Sequence, residues 1–155
     1  MPAVDELYSL LVPLGATRLI LPRACVAEVV SFTPALRLAD DKPPWLIGSL
    51  EWNGREIPVI SFEGACGLDF PHPTGRVRAV VIRCLGTQLE AGHFALITQG
   101  FPQLVRVNAA VLEPDPSSGW TERSPVICQL RMINQRPVIP DLEQLERMIA
   151  QNLAA

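Results

Sequence analysis

The sequence predicts a mainly β protein closed by one C-terminal helix. Three observations carry this. Short β-branched and aliphatic runs recur, such as "AVVI" (79–82) and "FALI" (94–97). Fifteen prolines and ten glycines punctuate them, so the elements are short and joined by turns. From Asp141 the period changes to three and four residues, the helical spacing. A chain of 155 residues with 48% hydrophobic and 19% charged residues is one globular domain with a real core.

Taken in order, "LYSLLVPLGATRLILP" (7–22) reads as a strand, a Leu14-Gly15 turn and a second strand. A short helical turn at Pro22-Arg23-Ala24 leads into a third strand, "CVAEVVSF" (25–32). "TPALRLADDKPP" (33–44) is loop. "WLIGSLEWNGREIPVISF" (45–62) is a hairpin turning at Asn53-Gly54, since both central positions of its turn need positive φ. "EGACGLDFPHPTG" (63–75) links two halves. Strands follow at 77–86, 93–99 and 103–107, then a loop, "EPDPSSGW" (113–120), and a strand at 125–133. A turn at Asn134-Gln135-Arg136 opens onto "PVIP" (137–140). In the closing helix Leu142, Leu145, Met148 and Ile149 form the apolar stripe, with Glu143, Glu146 and Arg147 on the polar face, and the helix ends near Asn152. The total is nine or ten strands and one helix.

A faint internal repeat runs through this order. "NGREIPVI" (53–60) resembles "NQRPVI" (134–139), and "VPLGATRL" (12–19) resembles "RCLGTQL" (83–89). The repeat implies two similar small barrels of about five strands each. Neither half buries much area alone, so the two share a core. The expected subdomains are residues 14–65 with the C-terminal helix, and residues 76–139.

Composition excludes several function classes. The net charge is −3, Lys42 is the only lysine and the arginines are dispersed, so neither nucleic acid nor an anionic membrane surface finds a basic patch. No apolar run reaches the roughly 20 residues of a membrane helix. The N-terminus carries acidic residues where a signal peptide would be basic, which predicts a cytoplasmic protein. Cys25, Cys66, Cys84 and Cys128 are far apart and form no CxxC, so they read as buried, reduced thiols.

The search for catalytic chemistry finds little. GxSxG, HExxH, P-loop and GxGxxG motifs are absent, and no cofactor or metal is implied. Cys66 and His72 share one loop and are the one conceivable nucleophile pair. Asp40 and Asp41 are adjacent in a loop and point apart rather than converge. Arg76, Arg78 and Arg83 alternate along one strand, and Arg76 and Arg78, which could share a face, read as a solubilising edge rather than an anion site.

The order of segments resembles the CheW-like family of bacterial chemotaxis coupling proteins. The resemblance rests on Leu21-Pro22, Val26, Glu28, Val29 and Val30, then Pro43-Pro44-Trp45, then Gly48, Leu50, Gly54, Pro58 and Val59, and finally "CQLRMINQRPVIPDLEQL" (128–145). It implies two intertwined five-stranded SH3-like barrels without enzymatic activity. It also implies a cytoplasmic adaptor, recruited to membrane receptor arrays, that joins a chemoreceptor's cytoplasmic tip to the regulatory domain of a CheA-type histidine kinase. Other CheW-like domains are further possible partners. In this frame the implied partner groove lies between the barrels, lined by Val26, Glu28 and Val29 and rimmed by Glu51, Asn53 and Arg55. Trp45 reads as an anchor of the core or of a partner pocket, with the core favoured, and Pro58 as an edge or strand-start residue. The chain departs from the family pattern at Asn53, where an arginine is usual, at Glu51 and Ser61, and at Thr98, where an Asp is common. These departures put the expected contact groups in question and suggest either a divergent adaptor or a scaffold that binds kinase but no receptor.

Overall fold

A computed structural model describes residues 6–15, 17–34, 42–70, 73, 75–108, 113–114, 124–131 and 136–153. Asp40, Asp41, His72 and the Asn134-Gln135 turn lie outside the described residues. Strands β1 (Glu6–Pro13), β2 (Arg18–Pro22), β3 (Val26–Phe32), β4 (Leu46–Trp52) and β5 (Arg55–Ile60) precede a one-turn helix α1 (Phe62–Ala65). Strands β6 (Val77–Arg83), β7 (His93–Thr98), β8 (Gln103–Asn108), β9 (Glu113–Pro114), β10 (Val126–Arg131) and β11 (Val138–Pro140) follow, and α2 (Leu142–Leu153) closes the chain. A 3-10 turn, Arg23–Cys25, stands before β3 where the Pro22-Arg23-Ala24 turn was expected.

Local chemistry accounts for the turns. Asn53 has φ 50° and Gly54 φ 75°, so the β4–β5 hairpin closes through a two-residue turn between the paired Trp52 and Arg55. Ser61 caps α1, its hydroxyl accepting from the Gly64 N–H at 3.2 Å. That helix replaces the start of the loop expected at residues 63–75. Asp141 caps α2 by accepting from the Gln144 N–H at 3.1 Å.

The strands form a six-stranded sheet in the order β8-β1-β2-β11-β10-β9 and a five-stranded sheet in the order β3-β6-β7-β5-β4. Among the described residues the two-residue β9 is the only excess over five strands in each. The fold is therefore mainly β, two intertwined small barrels with a C-terminal helix. Its sheets do not follow the expected subdomain boundaries. Strands β6 and β7 join β3, β4 and β5, whereas β1 and β2 join strands from the far end of the chain.

The repeat explains this exchange. The order β8-β1-β2-β11-β10 matches β3-β6-β7-β5-β4 position by position. In each sheet the PVI strand runs parallel to the second strand of a hairpin: Val138 beside Leu19, and Val59 beside Ala95. Each half of the chain thus donates its first hairpin to the other half's sheet.

The main core lies between the sheets and under α2, with Val12, Leu19, Leu21, Val80, Leu96 and Leu145 among its buried members. A second cluster, including Phe32, Ile57, Val59 and Val81, fills the five-stranded barrel. Ile20, Val107 and Leu130 fill the other. Pro58 is buried inside β5, which has neighbours on both sides, rather than on an edge strand. Its missing N–H is tolerated because the β7 ladder begins only at Val59. Trp45 is half-buried and packs on the main core.

Two carboxylates tie the sheets together. Glu63 in α1 is 7% exposed, and its Oε1 accepts the Gly15 N–H at 2.8 Å. Glu146 in α2 is 1% exposed and accepts the Leu85 and Gly86 N–H groups, each at 2.9 Å. Glu146 therefore belongs to the buried side of α2, against its expected place on the polar face. Burying a carboxylate is costly, and hydrogen bonds from backbone N–H groups offset that cost.

Candidate functional site

The six residues implied as partner contacts fall into two groups on neighbouring surfaces. Val26 and Val29 on β3 are half-buried and pack against the main core, as do Leu10 on β1 and Cys25. They lie at the seam where the two sheets meet. Next to Leu10, β1 and β8 expose large apolar side chains: Tyr8 is 46% and Leu104 55% exposed. Leu104 pairs with Leu10 and Arg106 with Tyr8 across the ladder, so these residues form one strip. The Arg106 guanidinium lies 5.6 Å from the Tyr8 ring centroid. A register shift between Val26 and Glu28 reorients β3 at this point.

Glu28 belongs to the second group. Its carboxylate Oε2 accepts the indole N–H of Trp52 at 2.6 Å. The Trp52 ring packs on the core of the five-stranded barrel and meets the His93 ring at 4.7 Å between centroids. Exposed Glu51, Asn53 and Arg55 surround it on the β4–β5 hairpin. Arg55 Nη1 donates to the Ala91 carbonyl at 3.4 Å, and Glu51 stands opposite Glu56. The structure thus joins Glu28 to the hairpin through Trp52, while Val26 and Val29 face the seam. An open groove of about 680 Å³ adjoins the hairpin, lined by Arg55, Glu56, Leu89, Ala91, Ala150 and Leu153.

Two of the four departures from the family pattern do not alter a contact surface. Ser61 and Thr98 are each 4% exposed. Ser61 caps α1, and the Thr98 hydroxyl donates to the Gly100 carbonyl at 2.8 Å. Only Glu51 and Asn53 are exposed among the four.

Sequence reasoning missed Trp52 and His93. A tryptophan next to the hairpin turn was the available signal for the first; for His93, at a strand start, there was none. Arg83 donates to the Ala24 and Val26 carbonyls at 2.9 and 2.8 Å, holding the 3-10 turn against β3. Arg78 lies over the Phe101 ring at 3.6 Å.

The thiols show no nucleophilic activation. Burial, followed by the Glu63 charge, pushes the Cys66 thiol up to about 12. Burial and then Glu146 do the same to Cys84. Burial raises Cys25 and Cys128 as well, Arg83 partly opposing it at Cys25. A reactive cysteine needs a lowered pKa. Among the described residues no group of three His, Cys, Asp or Glu side chains could hold a metal ion, and no helix is long and apolar enough to cross a membrane.

Comparison with known proteins agrees with this architecture. Among solved structures, a crystal structure of the scaffolding protein TtCheW from Thermoanaerobacter tengcongensis matches with a TM-score of 0.71 at 18% identity, covering 90% of this chain and 92% of that one. That likeness shows the shared fold. No curated protein matches. The CheW-like domain model matches residues 9–147, nearly the whole chain, and the chain therefore belongs to the CheW-like domain family.

Proposed function

We propose that this chain is a non-catalytic cytoplasmic adaptor that couples the cytoplasmic tip of a chemoreceptor to the regulatory domain of a CheA-type histidine kinase. Membership of the CheW-like family supports an adaptor or scaffold role in chemotaxis signalling. The observation that carries the finer reading is the apolar seam: Tyr8 and Leu104 are exposed beside half-buried Leu10, which packs on the same core as half-buried Val26 and Val29. A helical receptor tip laid in a groove would bury its apolar stripe there, with polar groups fixing register. Glu28, Glu51, Asn53 and Arg55 supply such groups on the adjoining hairpin surface. The raised thiols speak against a cysteine nucleophile.

Asn53 favours a second reading, an array-building scaffold that binds kinase or other CheW-like domains and no receptor. Asparagine cannot replace the bidentate contact of the arginine usual in the family. Calorimetric titration with the kinase regulatory domain, and separately with a receptor-tip fragment, distinguishes the two. Heat with both partners supports coupling; heat with the kinase alone supports the scaffold; silence with both contradicts either reading.

A further inference from the structure

Each of the two buried carboxylates, Glu63 and Glu146, crosses from one sheet to the other. The Leu14-Gly15 turn ends β1 in the six-stranded sheet, and the Glu63 that holds it follows β5 of the five-stranded sheet. Leu85-Gly86 follows β6 of the five-stranded sheet, and the Glu146 that holds it follows β11 of the six-stranded sheet. The clasps are equivalent by the internal repeat, a Leu-Gly turn in each half held by a glutamate on the helix after that half's PVI strand.

Both turns approach their carboxylates closely. A Cβ on Gly15 would lie 3.1 Å from Glu63 Oε1, and one on Gly86 would lie 3.4 Å from Glu146 Oε1. Glycine leaves the room that these hydrogen bonds use. A backbone bond from the Gln99 N–H to the Pro13 carbonyl, 2.9 Å, adds a third tie between the sheets near the Gly15 clasp.

The clasped strands are the ones that build the seam. Strand β1, which ends in Leu14-Gly15, carries Tyr8 and Leu10. Strand β6, which runs into Leu85-Gly86, backs the other wall: Val26 pairs with Ile82 and Val29 with Val80. We propose that Glu63 and Glu146 are positioning residues that set the separation of the two walls of the inter-barrel groove. Neither touches the partner. Glu63 fixes the end of β1, which carries Tyr8 and Leu10, and Glu146 fixes the end of β6, the buried strand behind Val26 and Val29, so loosening either clasp lets one wall shift against the other. The consequence for receptor binding rests on the reading of the seam as the receptor groove; the wall geometry itself does not.

The test uses Glu63→Gln and Glu146→Gln, which keep size and one acceptor oxygen but remove the charge. In the free protein, amide exchange at Gly15, or at Leu85 and Gly86, should quicken by about tenfold or more. Methyl resonances of Leu10, Val26 and Val29 should shift with it. Receptor-tip affinity should then fall by about three- to tenfold, while affinity for the kinase domain stays within about twofold. Methyl resonances that stay fixed while the clasped amides open would overturn the proposal, whatever the receptor does. Shifted methyls with a receptor tip that never binds the unaltered protein would leave the positioning role standing and overturn the receptor reading. Should a glutamine variant fail to fold, Gly15→Ala presses on the Glu63 clasp from the other side and is read by the same methyl shifts.

Discussion

The indole N–H of Trp52 donates to Glu28 Oε2 at 2.6 Å, joining β4 to β3, the two strands at opposite edges of the five-stranded sheet. Phe32 of β3 lies over Gly48 of β4 further along these two edges, 3.8 Å from where a Cβ would stand. Side chains, rather than a backbone ladder, therefore bring these two edges together. Trp52→Phe keeps the ring packing and removes the donor, so stability should fall by about 1 kcal/mol, the exposed Glu28 limiting the effect. Urea denaturation measures this, and in Glu28→Ala the Trp52 indole proton resonance should move upfield as its acceptor is lost. A resonance that does not move would show that the bond is not made in solution.

Val29→Ala tests the seam as a binding wall. Val29 is half-buried, so truncation should leave a cooperative fold while receptor-tip affinity drops by about 1–3 kcal/mol if the residue is a central anchor. Calorimetry beside thermal melting separates the two effects. Unchanged folding together with unchanged binding would remove Val29 from the site.

Gly64→Ala should destabilise the fold by about 1–3 kcal/mol through overpacking. A Cβ there would lie 2.3 Å from Phe70 Cε1 and 2.7 Å from Trp45 Cβ, and Trp45 sits on the main core. Denaturant unfolding measures the loss. A neutral result would mean that Phe70 and Trp45 move aside freely.

The thiols set an alkaline limit to stability. Burial pushes the Cys66 and Cys84 thiols up to about 12 in the fold, above the ordinary 9.0. A pKa raised by folding means that the native state holds the proton more tightly. The stabilisation is fully present below about pH 9 and is lost as pH rises towards 12. At pH 8 both thiols should alkylate roughly a thousandfold more slowly than an ordinary cysteine, as their thiolate fraction dictates. Mass-resolved labelling checks this, and rapid labelling of Cys66 would reopen the question of its reactivity.

Much of the fold was legible because alternation, glycine and proline are local signals. The Asn53-Gly54 turn, the β1–β2 hairpin and the helix starting at Asp141 follow from residues within a few positions of each other. Strand exchange between sheets was not legible. It depends on which hairpin finds which PVI strand, Leu19 and Val138 pairing across 119 residues and Val59 and Ala95 across 36, and the repeat alone fits either pairing. Glu146 shows the same limit from one side chain. Helical spacing gave it a polar position, but its acceptors' partners, Leu85 and Gly86, lie 61 and 60 residues away. Of the site, Val26 and Val29 came from the family pattern and stand at the seam. Ser61 and Thr98 were misread as surface groups because a capping hydroxyl and an exposed one look alike in sequence.

The central claim is coupling, and light scattering on a mixture of this chain, the kinase regulatory domain and a receptor-tip fragment tests it most directly. The account predicts a ternary complex containing all three. A kinase complex from which the receptor fragment is always excluded would contradict it.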